Sequence, residues 1–246
     1  MCGIAGFILR DGQRPDPALL QRMADALAHR GPDDHGLYTN GPVGLVQTRL
    51  SIIGLATGHQ PMVSEDGRLA LAANGEVYNY IELNEVLRAQ GRRLLTDSDS
   101  ETILHAYAVR GLNFLNDLRG MYAFALHNSQ TGQVILGRDR LGIKPLFYCS
   151  LPDRVAFASE IKALLPILPG RPEILPAALR QFLQNQFAGG EETVVAGIRR
   201  VLPGEALIVH PDLSIERHRY WSALNLSPRR MAADEAQAEL DGLMDT

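Results

Sequence analysis

The stretch that decides the fold opens the chain: Met1-Cys2-Gly3-Ile4-Ala5-Gly6-Phe7. Its apolar residues continue to Leu9 and predict a buried strand that begins next to the thiol of Cys2. Methionine is readily removed from a chain whose second residue is small, which would make Cys2 the first residue of the mature protein. A terminal cysteine carries a nucleophilic thiol and its own general base, an α-amine that titrates near pH ~7.7–8. Cys2 is therefore a candidate nucleophile, and the alternative is an ordinary small residue near the start of the chain.

The bulk composition narrows the classes of function. The chain has 246 residues, which is enough for one large domain or two small ones. A net charge of −4 is mild and predicts neither a nucleic-acid nor a membrane partner. The sequence has no apolar run near the ~18–20 residues that cross a bilayer and no basic start typical of a signal peptide. The cysteines are Cys2 and Cys149, and the seven histidines lack ligand-like spacing, so we expect a cytoplasmic protein without disulfides or a metal site.

Strand signals occur along the chain without the strand–helix–strand pattern of a parallel sheet. This predicts an α+β domain with antiparallel sheets. We expect Gln47-Thr48-Arg49 to interrupt one of the strands. The predicted strands cover residues 3–9, 43–53, 69–73, 120–126, 134–136, 146–149, 155–158, 205–210 and 215–219.

Helix signals lie between these strands. The first helix begins at Pro17 with Asp16 as its N-cap and ends before Arg30, which lies either in a plain surface turn or in a loop fixed beside a site. Further helices are predicted at 80–90, at 98–111 with a capping box of Ser98 and Glu101, and at 161–165, 177–187 and 232–244. In the helix at 80–90, we expect four apolar side chains to face inward: Ile81, Leu83, Val86 and Leu87.

Three polar positions each allow two interpretations from local sequence. Arg49 lies in an apolar run, so its guanidinium would form either a structural salt bridge or a clamp for a ligand carboxylate. Asn74-Gly75 at a strand end usually forms a tight turn, but an amide side chain beside a glycine N–H can also form an oxyanion hole. Asp99 at a helix start either favours the helix dipole or binds a substrate ammonium group.

Eight short motifs occur along the chain in a fixed order. They are Met-Cys-Gly-Ile-Ala-Gly-Phe at 1–7, His-Arg-Gly-Pro-Asp at 29–33, Arg-Leu-Ser-Ile-Ile at 49–53, Asn-Gly-Glu-Val-Tyr-Asn at 74–79, Ser-Asp-Ser-Glu at 98–101, Gly-Met-Tyr-Ala-Phe-Ala at 120–125, Gly-Arg-Asp-Arg-Leu-Gly-Ile-Lys-Pro-Leu-Phe-Tyr at 137–148 and Ser-Glu-Ile-Lys-Ala-Leu at 159–164. Over about residues 2–221, the chain resembles the N-terminal glutaminase domain of glutamine-hydrolysing asparagine synthetase, a class II glutamine amidotransferase. Each motif alone is weakly specific, but eight in one order are very specific.

The resemblance implies an N-terminal-nucleophile fold, a four-layer α-β-β-α sandwich of two antiparallel sheets. It also implies roles for individual residues. Cys2 would be the nucleophile with its α-amine as the base, and the Asn74 side chain and the Gly75 N–H would form the oxyanion hole. The implied substrate-binding residues are Arg49 for the α-carboxylate of glutamine, Asp99 and Glu76 for its α-ammonium group, and Leu50, Ile52 and Ile53 for the pocket wall.

The implied reaction is hydrolysis of the glutamine side-chain amide through a glutamyl thioester. In the family, the released ammonia passes to the protein's own C-terminal synthetase domain, which activates aspartate with ATP and magnesium to make asparagine. The Ser-Gly-Gly-x-Asp-Ser phosphate loop of that domain is absent from this sequence. We therefore expect no cofactor in this segment, and ATP and magnesium only in the synthetase domain.

Composition changes after Trp221. We expect residues 2–221 to form the glutaminase domain, and residues 222–246 to be a linker and the first helix of a synthetase domain that continues beyond this sequence. Two alternatives stay open: a related amidotransferase with another carboxylate acceptor, such as a peptide or saccharide precursor, and a catalytically idle docking domain. The intact set of implied site residues argues against an idle domain. The sequence does not fix the oligomeric state, and a homodimer is one of the states it allows.

Overall fold

The computed structural model of the chain describes residues 1–54 and 57–244. Residues 245 and 246, the end of the predicted second segment, lie outside the described residues. The strands are β1 (Gly3–Leu9), β2 (Asp34–Asn40), β3 (Val43–Arg49), β4 (Met62–Val63), β5 (Leu69–Val77), β6 (Gly120–Asn128), β7 (Gln133–Arg138), β8 (Phe147–Leu151), β9 (Arg154–Ala158), β10 (Arg199–Arg200), β11 (Glu205–Val209) and β12 (Ile215–Arg219). The α-helices are α1 (Pro17–Leu27), α2 (Tyr80–Ala89), α3 (Asp99–Arg110), α4 (Pro176–Asn185) and α5 (Ala233–Met244).

The strands form two antiparallel sheets. The first has the order β10-β8-β9-β1-β3-β2, and the second has the order β12-β11-β7-β6-β5-β4. β1 lies inside the first sheet, where Gly6 pairs with Leu45 on one side and with Phe157 on the other. β5 pairs along its full length with β6, but pairs with β4 only at Ala70 and Leu71. The second side of β5 is therefore open over its last residues, and the candidate site lies there.

Three apolar clusters separate four layers. Between the sheets, Ile4 of β1 clusters with Leu207 of β11. On the outer face of the first sheet, α1 contributes Leu20 to a second cluster. On the outer face of the second sheet, Ile103 of α3 clusters with Phe124 of β6. The order of layers is helix, sheet, sheet, helix, so the predicted α+β class and α-β-β-α sandwich are confirmed.

Several elements form where the sequence predicts them. β1 covers the predicted strand at 3–9, and every one of its residues is buried. α1 begins at Pro17, and the carboxylate of Asp16 caps it by accepting the Ala18 N–H at 2.9 Å. The predicted strands at 120–126 and 134–136 form the hairpin of β6 and β7, and those at 205–210 and 215–219 form the hairpin of β11 and β12. These elements depend on local periodicity and turn chemistry, which a sequence displays directly.

The predicted interruption of β3 is wrong. β3 runs without a break to Arg49, because its polar residues pair with strands on both sides: Thr48 lies opposite Gly3 of β1 and His35 of β2. The strand then ends, so residues 50–53 of the predicted strand lie outside it. Pairing on both edges satisfies the backbone and overrides the weak local strand preference of these residues.

Of the two local interpretations of Asn74-Gly75, the tight turn is wrong, because β5 continues through these residues to Val77. Asn74 lies opposite Ala123 of β6, and Gly75 lies opposite Tyr122. Pairing with a long neighbouring strand outweighs the preference of Asn-Gly for turns.

The helices differ in which faces they bury. In α2, Leu87 is 4% exposed, but Ile81 and Val86, which we expected to face inward, are 57% and 54% exposed. The buried face carries Asn84 instead, whose Oδ1 accepts the hydroxyl of Thr102 on α3 at 2.7 Å. A polar pair between two helices therefore takes a position that the apolar pattern had assigned to aliphatic side chains.

Three smaller differences concern short elements. Ser98 caps α3 through the Ser100 N–H, but Glu101 accepts the N–H groups of Leu95 and Thr96 instead of completing a capping box. The predicted helix at 161–165 is two 3-10 turns. Three strands lack a clear signal in the sequence: β2, β4 and β10, of which the last two have only two residues each. Among the described residues, no helix is long and apolar enough to cross a membrane.

Two neighbouring residues of α2 provide a test of the helix orientation. We expect Leu87→Ala to lower the free energy of unfolding by about 2–4 kcal/mol, because it leaves a cavity between α2 and the core. The matched change Val86→Ala should alter it by less than about 0.5 kcal/mol, because that side chain is exposed. Urea denaturation measures both, and equal effects would contradict the observed face of α2.

Candidate functional site

The thiol of Cys2 lies where two neighbouring strands end. Cys2 immediately precedes β1, and Leu50 immediately follows β3. The half-buried Cys2 side chain donates from Sγ to the carbonyl oxygen of Leu50 at 3.6 Å. Because β1 and β3 are paired, this contact holds the thiol beside the irregular segment that follows β3.

Arg30 holds the main chain of Cys2. Its Nε donates to the carbonyl oxygen of Cys2 at 2.9 Å, and its Nη1 donates to Oε1 of Glu160 at 2.8 Å. Burial raises the pKa of Glu160, but hydrogen bonds from Arg30, His29 and Lys162 outweigh it, so the pKa lies below its ordinary value. Of the two local interpretations of Arg30, the structure supports the one in which it fixes a loop beside a site.

A cleft with about 530 Å³ of free space opens beside Cys2. Its walls come from the start of β1, the end of β3 with the segment after it, the end of β5 and the start of α3. The structure brings all the predicted site residues together in this cleft, although their chemical roles stay predictions. These residues are Cys2, Arg49, Leu50, Ile52, Ile53, Asn74, Gly75, Glu76 and Asp99.

The open edge of β5 faces this cleft. Successive N–H groups of an antiparallel strand point to opposite edges, so those of residues 73, 75 and 77 share one edge. The Ala73 N–H donates to Oε1 of Gln60 at 2.7 Å, and the Val77 N–H donates to Oδ2 of Asp99 at 2.7 Å. The Gly75 N–H lies between these two on the same edge of β5.

Position 75 accepts only glycine. Its φ is +152°, and a Cβ there would lie 2.1 Å from the carbonyl oxygen of Met121. Any side chain would therefore push β5 away from β6. The close approach of the two strands fixes the direction of the Gly75 N–H.

Asn74 supplies a second donor to the same cleft. Its side chain is 1% exposed, and its Nδ2 has no hydrogen-bond partner among the described residues. Buried polar atoms are normally paired, and an unpaired one costs free energy. A buried amide that faces a cleft without a partner is typical of a site whose ligand completes the hydrogen bond.

Arg49 places a positive charge in the cleft wall. Its Nη2 donates to the carbonyl oxygens of Ile53 at 3.0 Å and Gly54 at 2.7 Å. Gly58 packs against the guanidinium so closely that a Cβ there would lie 2.3 Å from Nη2. These backbone acceptors hold the guanidinium in the cleft wall, and the planar fork of a guanidinium suits a carboxylate ligand.

Asp99 carries the opposite charge at the start of α3. Burial raises the pKa of this carboxyl, and the nearby charge of Glu76 raises it further. Hydrogen bonds from the N–H groups of Val77 and Ser100 oppose both effects, but the pKa stays above its ordinary value. A cationic ligand group between Asp99 and Glu76 would remove this electrostatic cost.

Several residues of the cleft had no predicted role. The sequence signal that could have indicated Lys144 is its place in the motif at 137–148. Its Nζ lies 3.7 Å from Sδ of Met1, so Met1 occupies one end of the cleft. Among the described residues, no group of His, Cys, Asp or Glu could hold a metal ion. The cleft residues without a predicted role are Met1, Gly58, Gln60, Ala73, Ser98, Ser100 and Lys144.

Comparison with protein families and curated proteins gives consistent matches. The family described as "Glutamine amidotransferase domain" matches residues 1–221. The glutamine-hydrolyzing asparagine synthetase 1 of Bacillus subtilis (strain 168) is 37% identical over 250 residues, covering 100% of this chain and 39% of that protein. Asparagine synthetase 2 of the same strain is 43% identical over 167 residues, covering 67% of this chain and 22% of that protein. The Gibberella zeae protein named amidase chry2 is 36% identical over 234 residues, covering 90% of this chain and 34% of that protein.

The chain therefore spans about two fifths or less of the length of these curated relatives. Among solved structures, the glutamine phosphoribosylpyrophosphate amidotransferase of B. subtilis, complexed with ADP and GMP, matches with a TM-score of 0.63 at 24% identity. A structure described as the allosteric regulatory enzyme of purine biosynthesis matches with a TM-score of 0.64 at 23% identity. Each match covers 89% of this chain and 49% of the other. These similarities concern the fold, and they confirm the predicted N-terminal-nucleophile fold.

The raised pKa of Asp99 predicts a pH-dependent stability cost. Because this pKa is higher in the folded than in the unfolded chain, losing the proton costs more in the folded state. The wild-type chain should therefore lose stability relative to Asp99→Asn as the pH rises from the ordinary aspartate range through the raised pKa. We expect Asp99→Asn to be the more stable protein at pH 7, with the advantage shrinking in acid.

Thermal unfolding between pH 4 and pH 8 measures the difference. Asp97→Asn is the control, because this side chain lies two residues before α3 and is exposed. A constant offset between wild type and Asp99→Asn at every pH would contradict the electrostatic explanation.

Proposed function

The chain belongs to the glutamine amidotransferase domain family, and we propose that it hydrolyses the side-chain amide of glutamine with the thiol of Cys2 as nucleophile. The observation that carries this proposal is the open edge of β5. There, the Gly75 N–H and the unpartnered Nδ2 of Asn74 line the same cleft as the thiol. Acyl transfer needs hydrogen-bond donors near the nucleophile, where negative charge develops on the carbonyl oxygen.

The first half of the reaction forms a thioester. With Met1 removed, the α-amine of Cys2 takes the thiol proton, and the thiolate attacks the amide carbon of glutamine. Asn74 and Gly75 donate to the resulting oxyanion. The α-amine then returns the proton to the leaving nitrogen, the C–N bond breaks and ammonia departs.

The second half of the reaction restores the thiol. Water attacks the glutamyl thioester with the α-amine again accepting a proton, and the C–S bond breaks to release glutamate. Arg30 keeps Cys2 in place by binding its carbonyl oxygen throughout.

The remaining charges of the cleft suit the two ends of glutamine. The fixed guanidinium of Arg49 binds the α-carboxylate, and the carboxylates of Asp99 and Glu76 bind the α-ammonium group. The segment that contains Leu50 and Ile53 forms the wall between them. A substrate without an α-ammonium group would leave the buried carboxyl of Asp99 beside Glu76 without a cation, so the cleft favours a free amino acid over a residue whose α-nitrogen lies in a peptide bond.

For the whole protein, we propose that the ammonia feeds a synthetase domain that follows residue 221 and makes asparagine from aspartate with ATP and magnesium. The named activities of the two B. subtilis relatives support this. The helix α5 buries none of its residues, which is consistent with a segment that packs on another domain. The cytoplasm is the compartment that this proposal requires.

A second candidate keeps the glutaminase chemistry but changes the ammonia acceptor. Two fungal relatives are named amidases, chry2 and the Penicillium rubens protein chyE, and the latter is 33% identical over 233 residues. Proteins that are similar to this chain therefore include some that are not named asparagine synthetase. An idle docking domain is a third candidate, and the complete donor and charge set in the cleft argues against it.

Ammonia release from glutamine by this chain tests the proposal directly. We expect release by the wild-type chain after Met1 removal, verified by intact mass, and none above background by Cys2→Ala. The control is Cys149→Ala, because burial raises the pKa of that thiol to about 11 and keeps it unreactive. Release that survives Cys2→Ala would contradict the assignment of the nucleophile.

The oxyanion role of Asn74 gives a kinetic prediction. We expect Asn74→Asp to lower kcat by about 10²–10³-fold with little change in KM, because it replaces a donor to the transition state with an acceptor of the same shape. Steady-state ammonia release measures both constants. Asn225→Asp makes the same change on the exposed surface and should have wild-type kinetics. A rise in KM alone would instead indicate a role in binding.

A further inference from the structure

Gln60 lines the cleft but has no part in the steps above. It lies between the segment that follows β3 and the short strand β4, and it is 5% exposed. Its side chain joins two elements of the site. Oε1 accepts the Ala73 N–H of β5 at 2.7 Å, and Nε2 donates to the hydroxyl oxygen of Ser100 on α3 at 3.4 Å.

The hydrogen bond from the Ala73 N–H to Gln60 takes the place of strand pairing beyond the end of β4. β4 pairs with β5 only as far as Leu71, so the next N–H on that edge belongs to Ala73 and has no strand partner. A buried N–H without a partner is unfavourable, and the chain would move to satisfy it. The side chain of Gln60 continues the pairing for one more residue and then leaves the edge open.

The open position is therefore bracketed by two side chains. Gln60 holds the N–H of residue 73, Asp99 holds the N–H of residue 77, and the Gly75 N–H lies midway between them. Ala73 also directly precedes Asn74. Asn74 is thus adjacent to the backbone group that Gln60 holds, and the Gly75 N–H is two residues beyond it on the same edge.

The main chain of Gln60 is anchored to the other sheet. Gly36 of β2 packs so tightly against it that a Cβ at Gly36 would lie 1.9 Å from the carbonyl oxygen of Gln60. β2 and β1 belong to the first sheet, and β5 belongs to the second. Gln60 is therefore a short connection between the sheet that carries Cys2 and the strand that carries the donors.

We propose that Gln60 is a positioning residue for the amide hydrolysis, which holds the Asn74 and Gly75 donors at a fixed distance from the Cys2 thiol. This inference rests on the proposed function. Gln60 acts through Ala73 and contacts no reacting atom. An amide suits this place, because it offers an acceptor to the Ala73 N–H and a donor to the Ser100 hydroxyl.

Three variants test the proposal. Gln60→Met keeps the size of the side chain but removes the acceptor, and Gln60→Glu keeps an acceptor oxygen for the Ala73 N–H. Gln47→Met is the matched control, because Gln47 is also buried but lies on β3 outside the cleft, and its side-chain amide has no hydrogen-bond partner among the described residues. For each variant, kcat and KM for ammonia release are measured together with the thermal midpoint of unfolding.

We expect Gln60→Met to lower kcat by about 10- to 100-fold with KM within about threefold, because displaced donors act on the transition state more than on bound glutamine. Gln60→Glu should recover most of kcat, and Gln47→Met should have wild-type constants. Wild-type kcat in Gln60→Met would overturn the inference. So would a loss of kcat that follows the thermal midpoint and is not recovered by Gln60→Glu, because that indicates a purely structural role.

Failure of the proposed function gives a different result. If neither the wild-type chain nor Gln47→Met released ammonia, the glutaminase assignment would fall, and this inference with it. If both released ammonia and Gln60→Met did so equally well, only the inference about Gln60 would be overturned.

Discussion

The site depends on one constraint, the hydrogen bonding of the free edge of β5. A buried strand edge must pair its N–H groups, and β4 is too short to do so beyond Leu71. Side chains from two other elements, Gln60 and Asp99, take the outer positions. The middle position at Gly75 is left open, and it lies in the cleft with the thiol. Under the proposed function, this open position would supply a donor for acyl transfer, because a ligand oxygen could complete the pairing.

The charges of the cleft follow a similar principle. The buried carboxyl of Asp99 has a raised pKa because it lies near Glu76 in a poorly solvated place, and the buried amide of Asn74 lacks a partner. Both features reduce stability, and a substrate with an ammonium group and a carbonyl oxygen would relieve both. Such strain is tolerated because three apolar clusters, one between the sheets and one on each outer face, stabilise the strands that carry these residues.

How far the sequence predicts the structure differs between elements. β1, α1 and the two hairpins were predictable, because hydrophobic periodicity, an Asp-Pro helix start and turn residues act over a few positions. The Asn74-Gly75 turn and the interruption of β3 were wrong, because a paired neighbour overrode the local preference at both places. The predicted inward face of α2 was wrong for another reason. A buried hydrogen bond between Asn84 and Thr102 fixes the orientation of the helix, and hydrophobic periodicity does not reveal such a polar contact. The members of the site were predicted by motif resemblance, although local chemistry alone left Arg49 and Asp99 undecided.

The sequence by itself determined the order of the motifs, the buried strand behind Cys2 and the chemical types of the groups available: a thiol, an amide, a glycine and opposite charges. Their order along the chain also gave the family and the layered class of fold. Only the tertiary structure decided that Arg30 holds the carbonyl of Cys2, that Gln60 pairs with Ala73, and that the Gly75 N–H faces the cleft. Each of these depends on strand register and on contacts between residues far apart in the chain. A shift of register by one residue would turn the Gly75 N–H to the other edge of β5, and no local pattern of residues specifies that choice.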